Sequence, residues 1–79
     1  MKAKIGDVIS ISEHQDSLYR LETPPKPYNE YFLRLVSKHT EYKSYYIDQS
    51  SLDCLKYKII SKEKYPEVYL WNSKLEMRL

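Results

Sequence analysis

A single glycine, Gly6, stands in a chain of 79 residues, and that scarcity limits both how the backbone can turn and what it can bind. Two-residue hairpin turns of the primed types need positive φ, which glycine adopts without steric cost. Beyond position 6, any tight turn of that kind has to be made by Asn or Asp. The glycine-rich phosphate cradles GxxxxGKS/T and GxGxxG each require more than one glycine, so both are excluded and nucleotide-driven work is not expected.

Within that limit the chain reads as short alternating segments. KIGDVISIS sets Ile5, Ile9 and Ile11 on one side of a strand and Val8, Ser10 and Ser12 on the other. After the polar stretch Glu13 to Ser17, LYRLET sets Tyr19, Leu21 and Thr23 against Leu18, Arg20 and Glu22, which predicts a hairpin. Pro24, Pro25 and Pro27 end it. Each proline fixes its own φ and biases the preceding residue away from helix, so PPKP is an extended, semi-rigid connector.

Residues 28–47 carry two patterns. With a period of two, Tyr31, Leu33 and Leu35 face inward and Phe32, Arg34, Val36 and Lys38 outward, while Ser44 and Tyr46 oppose Lys43, Tyr45 and Ile47. With a period of 3.6, Tyr28, Phe32, Leu35, His39, Tyr42 and Tyr46 form one stripe behind a cap at Asn29. Branched and aromatic side chains suit a pleated, half-buried surface better than a helix, and this favours two strands joined at KHTEY. DQSSLD, rich in capping residues, predicts one helical turn near 50–53. CLKYKII then alternates Leu55, Tyr57 and Ile59 against Cys54, Lys56, Lys58 and Ile60, SKEKYPE is a charged loop, and VYLWNSKLEMRL reads as a hairpin around Asn72 and Ser73.

The fold class expected is all-β: a small antiparallel SH3-like barrel of five to seven short strands in a single domain, 1–79. The alternative is α+β, with a helix over 28–47 packed on an antiparallel sheet. A chain this short buries a modest fraction of its surface, so nearly every apolar face must be used. The lone Cys54 can form no intrachain disulfide. No apolar run approaches the roughly 20 residues of a membrane span, and MKAKIGDVIS has no apolar signal core. A cytoplasmic location is therefore expected. Low Gly, Ala and Arg with abundant Lys and Tyr indicate an AT-rich genome, and we expect a bacterial or phage source, the latter in keeping with a small accessory protein of a phage or mobile element.

Thirteen basic and eleven acidic residues leave a net charge of +2, spread evenly along the chain. That balance alone does not indicate nucleic acid as the partner. His14 with Asp16 and His39 with Glu41 have metal-ligand spacing but lack a full donor set, so no metal is expected. Cys54 lies near Lys56 and Lys58, which favours a thiolate, yet no histidine is placed to act as its base. The serines fall in polar turns without a nucleophile elbow. No catalytic constellation and no cofactor follow, and the chain is not expected to be an enzyme.

Two groupings remain. The outward parity of three segments collects Arg34, Lys38, Lys43, Tyr45, Lys56 and Lys58 as a basic, tyrosine-bearing face suited to single-stranded RNA or DNA. Nine Tyr and one Trp against one Phe supply amphipathic rings of the kind enriched at protein interfaces, with Tyr42, Tyr65, Tyr69 and Trp71 as further candidates and either Tyr69 or Trp71 turned inward. The function expected is a non-enzymatic binding module for a protein partner, as an inhibitor or regulator. Single-stranded nucleic-acid binding is the first alternative and a small metal-independent ribonuclease the second. A homodimer through a sheet edge is a further expectation. Parity predicts that Leu35→Asp unfolds the domain by burying an unpaired charge, whereas Lys56→Glu with Lys58→Glu leaves it folded. Circular dichroism and urea melts of the two variants distinguish these outcomes.

Overall fold

The computed structural model describes residues 2–25, 30–37 and 42–70. Five strands, β1 (Val8–Ile11), β2 (Ser17–Glu22), β3 (Tyr31–Leu35), β4 (Tyr45–Ile47) and β5 (Tyr57–Ile59), form one antiparallel sheet in the order β4-β3-β2-β1-β5. The sheet is not closed into a barrel. Residues 31–35 and 45–47 are strands, so the period of two prevails over the helical stripe there.

The two faces of the sheet are filled differently. Ile9 and Ile11, Tyr19 and Leu21, Leu33 and Leu35, and Ile47 are buried on the inner face. They are brought side by side by the registers Ile9 with Tyr19, Tyr19 with Leu35 and Leu21 with Leu33. One short helix, α1 (Gln49–Cys54), links β4 to β5 at opposite edges of the sheet and inserts the buried Leu52 into this face. Asp48 caps α1, its carboxylate accepting the Ser51 backbone N–H at 2.9 Å. That bond, with the Ser51 and Ser50 hydroxyls, holds the Asp48 carboxyl below the usual range. Leu55 leaves the helix in extended conformation and packs on the same core. The Tyr57 hydroxyl accepts the Ala3 N–H at 3.1 Å and so ties the N-terminal segment over the core.

On the outer face Val8 and Val36 are buried with Val68, and Leu18, Ile60 and Tyr69 pack around them. Val68 and Tyr69 come from a 3₁₀ segment, Pro66–Leu70, where a strand of a terminal hairpin was expected. Pro66 suits the start of a helical turn because its fixed φ is already helical and its missing N–H is one that such a turn leaves unpaired. The Tyr69 hydroxyl accepts the Val8 N–H and donates to the Ile60 carbonyl, which binds the segment to β1 and to the chain beyond β5. The second arm of that hairpin, with Asn72 and Ser73, lies outside the described residues.

Two further expectations are corrected. Ile5 is not in β1 but exposed in a turn, Lys4–Asp7, closed by the Asp7 N–H on the Lys4 carbonyl at 2.9 Å. Cys54 is not on a strand beside Lys56 and Lys58; it is the exposed last residue of α1. The β1–β2 connection runs through a 3₁₀ turn, Ser12–His14, then Gln15 and Asp16 at φ 57 and 59. Gln15 takes positive φ as well as Asp16, so this longer connection does not confine positive φ to Asn and Asp. Among the described residues no helix is long and apolar enough to cross a membrane.

Gly6 has φ 99 with open space where a Cβ would stand. Gly6→Ala is therefore expected to cost only its conformational penalty, about 1 kcal/mol, read as a lower urea midpoint with an unchanged slope.

Candidate functional site

Between the strip covered by Val68 and the β4 edge, the outer face of the sheet is left to polar and aromatic side chains. Glu22, Phe32 and Tyr46 stand in one cross-strand row, and Arg20 and Arg34 are directly opposite each other in the next. Like charges in that position repel. Glu22 resolves the conflict: its Oε1 accepts the Arg34 Nε–H at 2.7 Å and its Oε2 accepts from the Arg20 Nη1 at 3.1 Å. One carboxylate thus binds two guanidiniums, all three partly exposed. The Arg34 guanidinium also lies over the Phe32 ring, 5.1 Å from its centroid, and Phe32 meets Tyr46 at 5.0 Å and 56°. Tyr46 is 40% exposed. The result is an aromatic shelf with a stacked arginine, the group of side chains most used at the energetic centres of interfaces.

The basic face expected from parity is not assembled as a unit. Arg34 lies on the outer face, but Tyr45 points to the inner one, opposite Leu33 and on the parity of the buried Ile47. Ile47 decides the matter, because turning Tyr45 outward would expose it. Lys58 is on the outer face of β5, which pairs with β1 and not with β4. Arg34 and Lys58 are therefore three strands apart, about 14 Å at about 4.8 Å per strand. Lys43 and Lys56 are exposed just before β4 and β5 respectively. Lys38 and Trp71 lie outside the described residues.

The interface aromatics are also dispersed. Tyr65 is exposed, while Tyr69 is half-buried against the outer-face valines with the Lys62 ammonium 5.8 Å from its ring centroid. Tyr42 belongs to a different cluster, at the end of the inner face. There His14 stacks on Tyr42 at 4.8 Å and 16°, meets Tyr19 and Tyr45 edge-on, and places Nδ1 3.1 Å from the Tyr19 hydroxyl. Burial pushes the Tyr19 phenol up to about 12, with the Tyr45 and Tyr42 phenols adding to the effect. Burial, and then Glu13, also raise Tyr45. His14 thus packs in an aromatic box with Tyr19, Tyr42 and Tyr45; His39 and Glu41 lie outside the described residues.

Phe32, Tyr46, Arg20 and Glu22 were not singled out from the sequence. The parity that turns Phe32 and Arg34 outward was legible; in β4 the sequence reading sets Ile47 with Lys43 and Tyr45 on the outward side, whereas Ile47 is buried and Tyr46 is the exposed tyrosine. The Arg20–Glu22–Arg34 bridge needs the β2–β3 register and has no signal in one dimension. In comparisons with known proteins, no family model, no curated protein and no solved structure matches the chain.

The Tyr19 phenol makes a pH prediction. Its folded pKa, about 12, is above the ordinary 10.0, so the unfolded chain loses this proton first. The stability it contributes is full below pH 10.0 and is lost as pH rises toward 12. Urea midpoints measured across that range are expected to fall less steeply in Tyr19→Phe than in the parent chain.

Proposed function

We propose that the chain is a non-enzymatic module that binds a protein partner through the outer face of β2, β3 and β4. We also read its strand order, with β5 beside β1 and a helical crossover from β4, as that of an SH3-like barrel left open between β4 and β5. The observation that carries the binding reading is the solvent-facing stack of Arg34 on Phe32 beside Tyr46, with Glu22 offsetting the guanidiniums. Ordering such a surface costs little on binding, because Phe32 and Arg34 already brace each other and Tyr carries few rotamers. A partner gains apolar contact from the rings and directed hydrogen bonds from the Arg–Glu bridge at its border.

The stack favours single-stranded nucleic acid as a second reading, because unpaired bases also stack on such rings. It ranks second because a phosphate backbone needs a continuous basic track. Here the Glu22 carboxylate sits between the two arginines, and Lys43, Lys56 and Lys58 are distributed over separate parts of the sheet.

Affinity capture from source cells is expected to recover one protein in stoichiometric amount, lost with Phe32→Ala and with Arg34→Ala and kept with Lys56→Glu plus Lys58→Glu. Fluorescence anisotropy of labelled single-stranded RNA and DNA supplies the opposing arm. Tight binding with a steep salt slope, abolished by the double lysine variant, would replace the protein-partner reading with the nucleic-acid one.

A further inference from the structure

We propose that β4 is a self-pairing edge, through which two copies of the chain join their sheets across a two-fold axis with Tyr46 opposite the partner subunit's Tyr46. The proposal uses the backbone edge of the sheet and does not rest on the face-binding reading above.

The two edges of the sheet are unequal. β5 carries the exposed Lys58 with exposed Lys56 just before it, and lysine on an edge strand opposes pairing with a further strand. β4 reads Tyr-Tyr-Ile, with neither charge nor proline. Its backbone is also set correctly for pairing. The Val36 N–H donates to the Leu18 carbonyl at 2.9 Å, so the even-numbered residues of β3 bond to β2. In an antiparallel ladder the bonding direction alternates, so Tyr31 and Leu33 bond to Ile47 and Tyr45. The N–H and C=O of Tyr46 therefore both point away from β3, at an edge that no strand among the described residues covers.

A two-fold axis through Tyr46 turns those two groups into a reciprocal hydrogen-bonded pair. The same register sets Tyr45 against the partner subunit's Ile47 on the inner face. On the outer face it continues the Phe32–Tyr46 row into the matching row of the second copy, and cross-strand aromatic pairs of this kind stabilise a sheet. In that register Lys43 comes opposite the partner subunit's Gln49 and Ser44 opposite the partner subunit's Asp48, so no like charges meet at either end of the joint. A three-residue joint is short, so the dimer forms in a concentration-dependent equilibrium.

Sedimentation velocity of the full chain across a wide concentration range tests this. The wild-type mass is expected to rise from monomer toward dimer. Tyr46→Lys and Tyr46→Glu, at an exposed position, are each expected to stay folded by circular dichroism and monomeric throughout, because each sets like charges opposite each other at the axis. Mixed in equal amounts, the two variants are expected to recover the dimer. A wild type that remains monomeric, single variants that dimerise as well as wild type, or a mixture no better than its components would each overturn the proposal. If either variant loses its fold, Tyr46→Pro reads the same edge: it removes the outward N–H without breaking a bond to β3 and is expected to weaken association, and undiminished association would count against the joint.

Discussion

The pairing of β5 with β1 is the constraint on which the rest of the structure depends. β4 ends at one edge of the sheet and β5 begins at the other, so the chain between them has to cross a face. The crossing segment is α1, and its Leu52 fills the inner face where a sheet alone would leave Ile9, Leu21 and Leu33 half-covered. A small chain has little surface to bury, and a connection that doubles as the second layer of the core is an efficient use of nine residues, 48–56. The Asp48 cap makes so short a helix tenable, because it satisfies a backbone donor exposed by starting the turn.

Among the described residues the outer face is only partly covered. Val8, Leu18 and Val36 would form an exposed apolar strip, and the Pro66–Leu70 segment covers it with Val68 while the Tyr69 hydroxyl bridges β1 and Ile60. Beyond that strip β2, β3 and β4 show charged and aromatic groups that tolerate water. The Arg20–Glu22–Arg34 bridge ties β2 to β3 there, and its carboxylate offsets the repulsion that the strand register imposes on the two arginines.

Strand identity was legible wherever apolar residues alternated over several positions. Ile9 with Ile11, Tyr19 with Leu21, and Leu33 with Leu35 all face the core as their parity requires. The short segments were harder. In β4, three residues long, two adjacent tyrosines compete for the inner face, and only Ile47 breaks the tie. The sequence reading makes Val68 to Leu70 the first arm of a hairpin and Pro66 with Glu67 a loop, yet the proline already favours the helical turn that Pro66–Leu70 forms. The candidate surface was less legible than the fold. Its parts lie on three strands, and grouping Arg34 with Lys56 and Lys58 assumed that consecutive strands are neighbours. The β5–β1 pairing breaks that assumption, and it arises from the crossover, a long-range choice that alternation within a segment does not encode.

The same crossover explains why the two edges of the sheet differ in character. β5 is held against β1 on one side, with the Lys56 carbonyl accepting the Ser12 N–H and the Ile60 N–H reaching Val8 beyond its ends, and its exposed lysine discourages addition of a further strand. β4 leaves directly into α1, so its outer backbone is covered by no later strand among the described residues. A sheet that does not close ends its hydrogen-bonded ladder at two edges, β4 and β5. Here the uncharged edge coincides with the aromatic shelf, so Tyr46 presents its backbone along the sheet and its ring across the face. A contact at that corner therefore gains directional backbone bonds and aromatic area from one residue, whereas the opposite corner offers lysine and solvent.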